Sequence, residues 1–279
     1  PSLSKILMAP LRNSEGRVVA LLRNGAIKIF DKEGKLVQEF DSQVKNAAVV
    51  ACGAKGTIYV VGVKTEVLEG KVGNRVVKRE EPVSAFCRTL DATGKVVKDV
   101  DLQGAKAVTS GTFLGGRLLV ADRTAGSVIL YNVDTGAKVS AVGRGVRLCC
   151  GIFGFGVNAR NEILIANLGA FKVDRYSADG KPIGSFGKRG ADADSFHGCC
   201  NPVNIVALPD GRLMTAEKDT TRIKIYDATG KVCEQVLPDV TKLVEGCAYI
   251  PMAVDPAGNV YLANTMRGNI VKCGPKAGG

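Results

Sequence analysis

The sequence predicts an all-β chain built from repeated four-stranded units, and three observations carry that prediction. Thirty-four glycines and ten prolines among 279 residues promise many tight turns. Valine is abundant and extended helical patterns are scarce, which favours strands. Most telling is internal repetition. A glycine or asparagine followed by a β-rich run recurs as GRVVALL from Gly16, GTIYVVG from Gly56, GRLLVAD from Gly116, NEILIAN from Asn161, GRLMTAE from Gly211 and GNVYLAN from Gly258. Such periods of 40 to 60 residues mark an array of supersecondary units.

A second signal follows each of the first five, an aromatic or leucine, a short turn and a glycine. It reads FDKEG ending at Gly34, LDATG at Gly94, YNVDTG at Gly136, YSADG at Gly180 and YDATG at Gly230. Each unit therefore reads as one strand before the first signal, one within it, one ending in the turn, and a short last one such as KLVQEF or KPIGSF. The units fall at about 1–43, 44–103, 104–143, 147–190, 196–239 and 245–279. In the second unit the two glycines are spread apart by an insertion, TEVLEGKVGNRVVKREEP, from Thr65 to Pro82. Its Lys71, Arg75, Lys78 and Arg79 read as the charges of a solvated hairpin. The sixth unit ends near Cys273 without a clear fourth strand, so residues 1–4 or a segment upstream are expected to close the ring. Six such units are the signature of a six-bladed β-propeller of four-stranded antiparallel blades, one domain over 1–279.

The sixth unit, PMAVDPAGNVYLANTMRGNIVKC from Pro251, resembles the NHL repeat, and so does the fifth, NPVNIVALPDGRLMTAEKDTTRIKIYDATGK from Asn201. The third and fourth units fit it loosely, and the first two mainly by phase. The resemblance implies the six-bladed architecture and, by family habit, an extracytoplasmic location. It says little of activity, because related propellers include enzymes, RNA binders and protein scaffolds. The enzymatic relatives implied by that family use several histidines, and here His197 stands alone, which disfavours an enzyme.

Composition narrows the rest. A net charge of +11 favours anionic partners, but Lys and Arg are spread along the whole chain. There is no Trp and only 5% aromatic residues, so no base-stacking platform is expected and nucleic-acid binding is disfavoured. No apolar run is long enough for a membrane-spanning helix.

Nine cysteines are the anomaly, and five of them fall in phase. Cys149 and Cys150 lie 12 and 11 residues before Asn161, Cys199 and Cys200 lie 12 and 11 before Gly211, and Cys247 lies 11 before Gly258. Three consecutive units thus carry a thiol at one structural position, at the start of the innermost strand and so at one mouth of the central channel. Lys5, Lys45 and Ala105 hold that place elsewhere. Thiolates select zinc, copper(I) or an iron–sulfur cluster. Arg144, Arg147, Lys188 and Arg189 in the approaching loops would lower thiol pKa, and His197, two residues before Cys199, is expected within reach of the same rim as a ligand or hydrogen-bond donor. Two alternatives stand beside this metal centre with its redox or electron-transfer role. One is a disulfide-stabilised scaffold with a protein partner on a loop face, and the other is a basic nucleic-acid binder. Cys52, Cys87, Cys233 and Cys273 are out of phase and read as small buried residues within strands. Asp192 and Asp194 read as solvent-facing, and Asp122, Asn167, Glu217 and Asn264, each ending a second strand, as a structural hydrogen-bonding ring.

Overall fold

The structure is a computed structural model that describes residues 6–10, 17–22, 24–72, 75–143, 145–146, 148, 151–218, 221–245 and 249–274, with backbone alone at 6–10 and 72. The described residues form twenty-three strands and two short 3₁₀ turns. The first sheet is β1 (Ile6–Pro10), β2 (Val18–Leu22), β3 (Ala26–Phe30) and β4 (Leu36–Asp41). The second is β5 (Ala47–Cys52), β6 (Ile58–Val72), β7 (Arg75–Leu90) and β8 (Val96–Leu102). The third is β9 (Val108–Leu114), β10 (Arg117–Asp122), β11 (Ser127–Asn132) and β12 (Lys138–Val142). The fourth is β13 (Phe155–Val157), β14 (Ile163–Asn167), β15 (Lys172–Tyr176) and β16 (Pro182–Phe186). The fifth is β17 (Asn204–Ala207), β18 (Leu213–Glu217), β19 (Arg222–Tyr226) and β20 (Cys233–Leu237). The sixth has three described strands, β21 (Met252–Val254), β22 (Val260–Asn264) and β23 (Asn269–Cys273). Every sheet runs in chain order with antiparallel neighbours.

Burial explains the pattern in each sheet. The second strands are largely apolar because both of their faces are covered: β14 and β22 are buried at every residue. The fourth strands alternate, as β4 does, because their outer side meets solvent. No single core exists. One apolar cluster lies between each pair of consecutive sheets, for example Val49, Val61, Leu118 and Tyr131 between the second and third. Another, with Met214, Ile223, Leu262 and Val260, lies between the fifth and sixth. Val18, Ala253 and Tyr261 join the sixth sheet to the first.

The first strands contact one another in cyclic order, β1 to β5, β9, β13, β17, β21 and back to β1. The ring therefore closes through β1 against β21. The expectation that residues 1–4 close it falls outside the described residues. A cavity of about 420 Å³ lies among these strands, lined by residues such as Ala51, Ser110, Gly156, Asn204 and Asp255.

The turn glycines lock successive sheets together. Gly94 and Gly230 both adopt positive φ (89° and 77°), where a side chain is strained. Each also faces the last-strand aromatic of the preceding sheet, Phe40 and Phe186 respectively, so a Cβ would collide with the ring. Beyond the second sheet, β6 and β7 continue as a two-stranded ribbon whose pairing runs out to Val72 opposite Arg75.

Candidate functional site at the cysteine turn

The turn that carries Cys199 and Cys200 follows β16 and precedes β17, and it is held by two clamps. The first is Glu217, the last residue of β18, whose Oε2 accepts the His197 amide at 3.0 Å. The second is the buried Asn201. Its Nδ2 donates to the carbonyls of His197 at 2.5 Å and Lys218 at 3.2 Å, while its Oδ1 accepts the Lys218 amide at 2.8 Å. Between the clamps the chain must reverse, and Cys200 takes a left-handed conformation with φ of 60°.

This places the two sulfurs side by side. Cys199 Sγ stands 3.5 Å from Cys200 Sγ, and the Cys199 residue is exposed. Cys200 is disulfide-bonded. Cys52, Cys87, Cys199, Cys233 and Cys273 take no part in that bond. Cys149, Cys150 and Cys247 lie outside the described residues. Arg144 and Arg147 fall there too. No group of three or more His, Cys, Asp or Glu side chains placed for a metal occurs among the described residues.

The surroundings only partly follow the cationic ring expected from sequence. The Arg189 guanidinium lies over the Phe171 ring, 5.2 Å from its centroid. The Lys188 carbonyl accepts the Phe196 amide at 2.7 Å, which shapes the loop rather than adding charge. His197 is exposed. The cavity lining includes Asn204 but not Cys199, Cys200 or His197, so the described part of the cysteine turn stands outside it. Ala105, the equivalent of Cys200 in the third unit, is packed at 1% exposure, so this repeat position does not face solvent in every sheet.

Beneath the turn lies an ionic network that the sequence reading missed. In the β18–β19 pairing, Glu217 stands opposite Arg222 and Thr215 opposite Lys224. Side chains alternate along a strand, so these four share one face, the one turned toward the fourth sheet. Arg222 makes a two-pronged contact with Glu217, Nε to Oε1 at 2.9 Å and a terminal nitrogen to Oε2 at 2.7 Å. Lys224, fully buried, reaches Glu217 Oε1 at 3.2 Å and donates to the Ser195 carbonyl. Burial pushes the Lys224 ammonium below its ordinary pKa and Arg222 adds to that, while Glu217 opposes it. Two cations, one of them fully buried, thus share one buried carboxylate. The signal was present in TRIKIY, where charges alternate with isoleucines on a strand whose neighbours predict burial of both faces. Glu217 had been assigned only a structural role, and it also supports the cysteine turn.

The other cysteines divide by depth. Burial pushes the Cys52 and Cys87 thiols up to about 12, leaving them unreactive at neutral pH. Cys233 and Cys273 are only half-buried, contrary to the reading of all four as buried, because they sit at the start of an outer strand and at the end of β23. Asp122, Asn167, Glu217 and Asn264 end their strands in four different ways. Asp122 accepts the amides of Lys106, Thr124 and Ala125. Asn264 accepts those of Met266 and Arg267, and Asn167 donates to Asp174. Asp122 and Asn264 cap local turns, whereas Asn167 pairs with Asp174 and Glu217 with Arg222 and Lys224.

No family model matches the sequence, and no curated protein matches it. Solved structures do. A streptogramin B lyase structure aligns over 97% of this chain and 93% of its own, at 15% identity and a TM-score of 0.59. Virginiamycin B lyase from Staphylococcus aureus aligns over 97% and 85%, at 12% identity and a TM-score of 0.57. BamB from Moraxella catarrhalis aligns over 97% and 77%, at 14% identity and a TM-score of 0.50. These are β-propeller proteins, and together with the cyclic packing of sheets they define the class: this chain is a β-propeller. At such identities the likeness extends to the fold alone. No helix among the described residues is long and apolar enough to cross a membrane.

Proposed function

We propose that the six sheets are the six blades of a closed propeller of the NHL type, and that the in-phase cysteines form a thiolate site at one rim. In reduced form, Cys149, Cys150, Cys199, Cys200 and Cys247 supply the ligands for a thiophilic metal or an iron–sulfur cluster, serving electron transfer rather than catalysis. The observation that carries this reading is the spacing of Cys199 and Cys200. Two ligands bonded at about 2.3 Å to a tetrahedral centre stand roughly 3.8 Å apart, and the two sulfurs are 3.5 Å apart. Adjacent cysteines seldom hold that spacing unaided, and here the Glu217 and Asn201 clamps support it. The Cys200 disulfide then corresponds to an oxidised form, whose two-electron reduction frees two thiolates.

That same disulfide favours a second reading, a disulfide-stapled propeller scaffold in an extracytoplasmic compartment that presents a loop face to a protein partner. Anaerobic purification under reductant, with metal analysis and a visible spectrum, separates the two. The metal reading expects bound zinc, copper or iron, lost in Cys199→Ser and Cys200→Ser and retained in Cys52→Ser and Cys87→Ser. A metal-free protein in which peptide mapping finds four of the five rim cysteines paired in two disulfides would replace it with the scaffold reading.

A further inference from the structure

The ribbon that projects from the second blade has an outer edge with nothing paired to it. β7 is paired to β6 as far as Arg75, but its other neighbour, β8, joins only from Ala85 onward. Residues 75–84 of β7 therefore show a row of unpaired backbone groups among the described residues. The ribbon also exposes aliphatic side chains that a lone hairpin cannot bury: Val67 at 58%, Leu68 at 53%, Val76 at 60% and Val77 at 45%. An isolated two-stranded ribbon is marginal in water, and an open edge is a template for another strand.

The charges on this edge specify which strand. The ribbon carries Glu66, Glu69, Glu80 and Glu81 against Lys71, Arg75, Lys78 and Arg79, so it is neutral on a chain of net charge +11. Along β7 the signs are sorted into a basic Lys78–Arg79 step followed by an acidic Glu80–Glu81 step. A strand with that order is complementary to itself when run antiparallel. A two-fold axis normal to the sheet keeps each face on its own side, so residues of the same face come opposite one another. Centred on Glu80, such a pairing sets Arg79 of each copy opposite Glu81 of the other, and Val77 opposite Val83. Glu80 meets its own copy at the axis, flanked diagonally by Lys78 of both chains. The whole span lies within 75–84. The present partners of these charges are within the ribbon, Lys78 with Glu69 at 2.7 Å and Arg79 with Glu81; Lys78, Glu69 and Arg79 are exposed and Glu81 is partly so. Pairs of that kind contribute little and exchange readily. Lys78 and Pro82 are residue types that discourage indiscriminate edge pairing, which leaves a complementary strand as the one that fits.

We infer that the β6–β7 ribbon is a self-association arm that joins two copies of this chain through antiparallel pairing of their β7 edges into a four-stranded ribbon. This does not depend on the cysteine site. The contact is small, so the dimer is concentration-dependent and weakened by salt. Sedimentation velocity over a concentration series tests it, with circular dichroism to verify that each variant keeps its sheet content. The wild type is expected to shift from monomer to dimer as concentration rises. Lys78→Glu with Arg79→Glu, and separately Glu80→Lys with Glu81→Lys, should each stay monomeric, because one sign then fills the edge. Mixed in equal amounts, the two variants should form a heterodimer, because residues 79, 80 and 81 of one chain then face opposite charges on the other. A wild type that stays monomeric throughout, charge variants that dimerise as the wild type does, or a mixture that fails to associate would each overturn the inference.

Discussion

Lys224 shows what a single residue demands in this architecture. It is fully buried, and its charge is tolerated because Glu217 and the Ser195 carbonyl face it. Glu217 also neutralises Arg222 and holds the His197 amide. Glu217→Ala would leave the buried Lys224 and the partly buried Arg222 uncompensated, and removal of one partner of a buried pair typically costs about 3–5 kcal/mol. It would also release one clamp of the cysteine turn. The expected outcome is a lower midpoint in denaturant and faster alkylation of Cys199; unchanged alkylation would show that Asn201 holds the turn alone. Thr215, on the same face, provides the contrast. Its buried hydroxyl has no hydrogen-bond partner among the described residues, so Thr215→Val is expected to be neutral or stabilising within about 1 kcal/mol.

Within the elements, the turn glycines separate backbone strain from packing. Gly34 and Gly94 occupy the same turn in successive units with φ of 84° and 89°. Gly94 meets the Phe40 ring, whereas nothing lies within 4 Å of a Cβ on Gly34. Gly34→Ala should cost about 1–2 kcal/mol from the left-handed backbone, and Gly94→Ala roughly 1–3 kcal/mol more from the displaced ring. Equal losses in chemical denaturation would refute the packing component.

A second link between elements joins the fourth and fifth sheets. Arg160 and Arg175 both contact Glu162 and reach across to the carbonyls of Ala228 and Thr229. Burial pushes the Glu162 carboxyl up, but hydrogen bonds from Arg175 and Asn158, with the charges of Arg175 and Arg160, outweigh it and hold the group below its ordinary range. The folded state therefore binds this proton less readily than the unfolded chain. The stability that Glu162 contributes is full above its ordinary pKa and fades as pH falls through the lower folded value. Thermal midpoints measured from about pH 6 down to about pH 3 should fall less steeply in Glu162→Gln than in the wild type. Parallel curves would show that Glu162 does not couple to acid unfolding.

At the scale of the molecule, stability is spread over clusters between sheets, so no single rim substitution should unfold the ring. The charge of +11 acts at this scale as well. Any RNA or DNA binding is expected to be weak, indifferent to sequence and steeply reduced by salt. A filter-binding titration that shows tight, sequence-specific retention above physiological salt would contradict this.

How far the sequence led can be argued from particular residues. The recurring turn glycines and largely apolar second strands announced sheets in series, because local turn geometry and two-sided burial leave marks on every unit. The insertion from Thr65 to Pro82 was legible as a hairpin for the same reason. The phase of the cysteines was legible too, and Cys199 and Cys200 do stand together before the first strand of their sheet. What tertiary structure alone decided was contact between distant segments. That β1 seals the ring against β21, that Phe40 fills the space at Gly94, and that Cys200 is disulfide-bonded while Cys199 lies beside it, none of these is set by local propensity. The pairing of Glu217 with Arg222 and Lys224 belongs with them. Periodicity records which faces are buried, whereas the partner that makes a buried charge tolerable is set by strand register and by the neighbouring sheet.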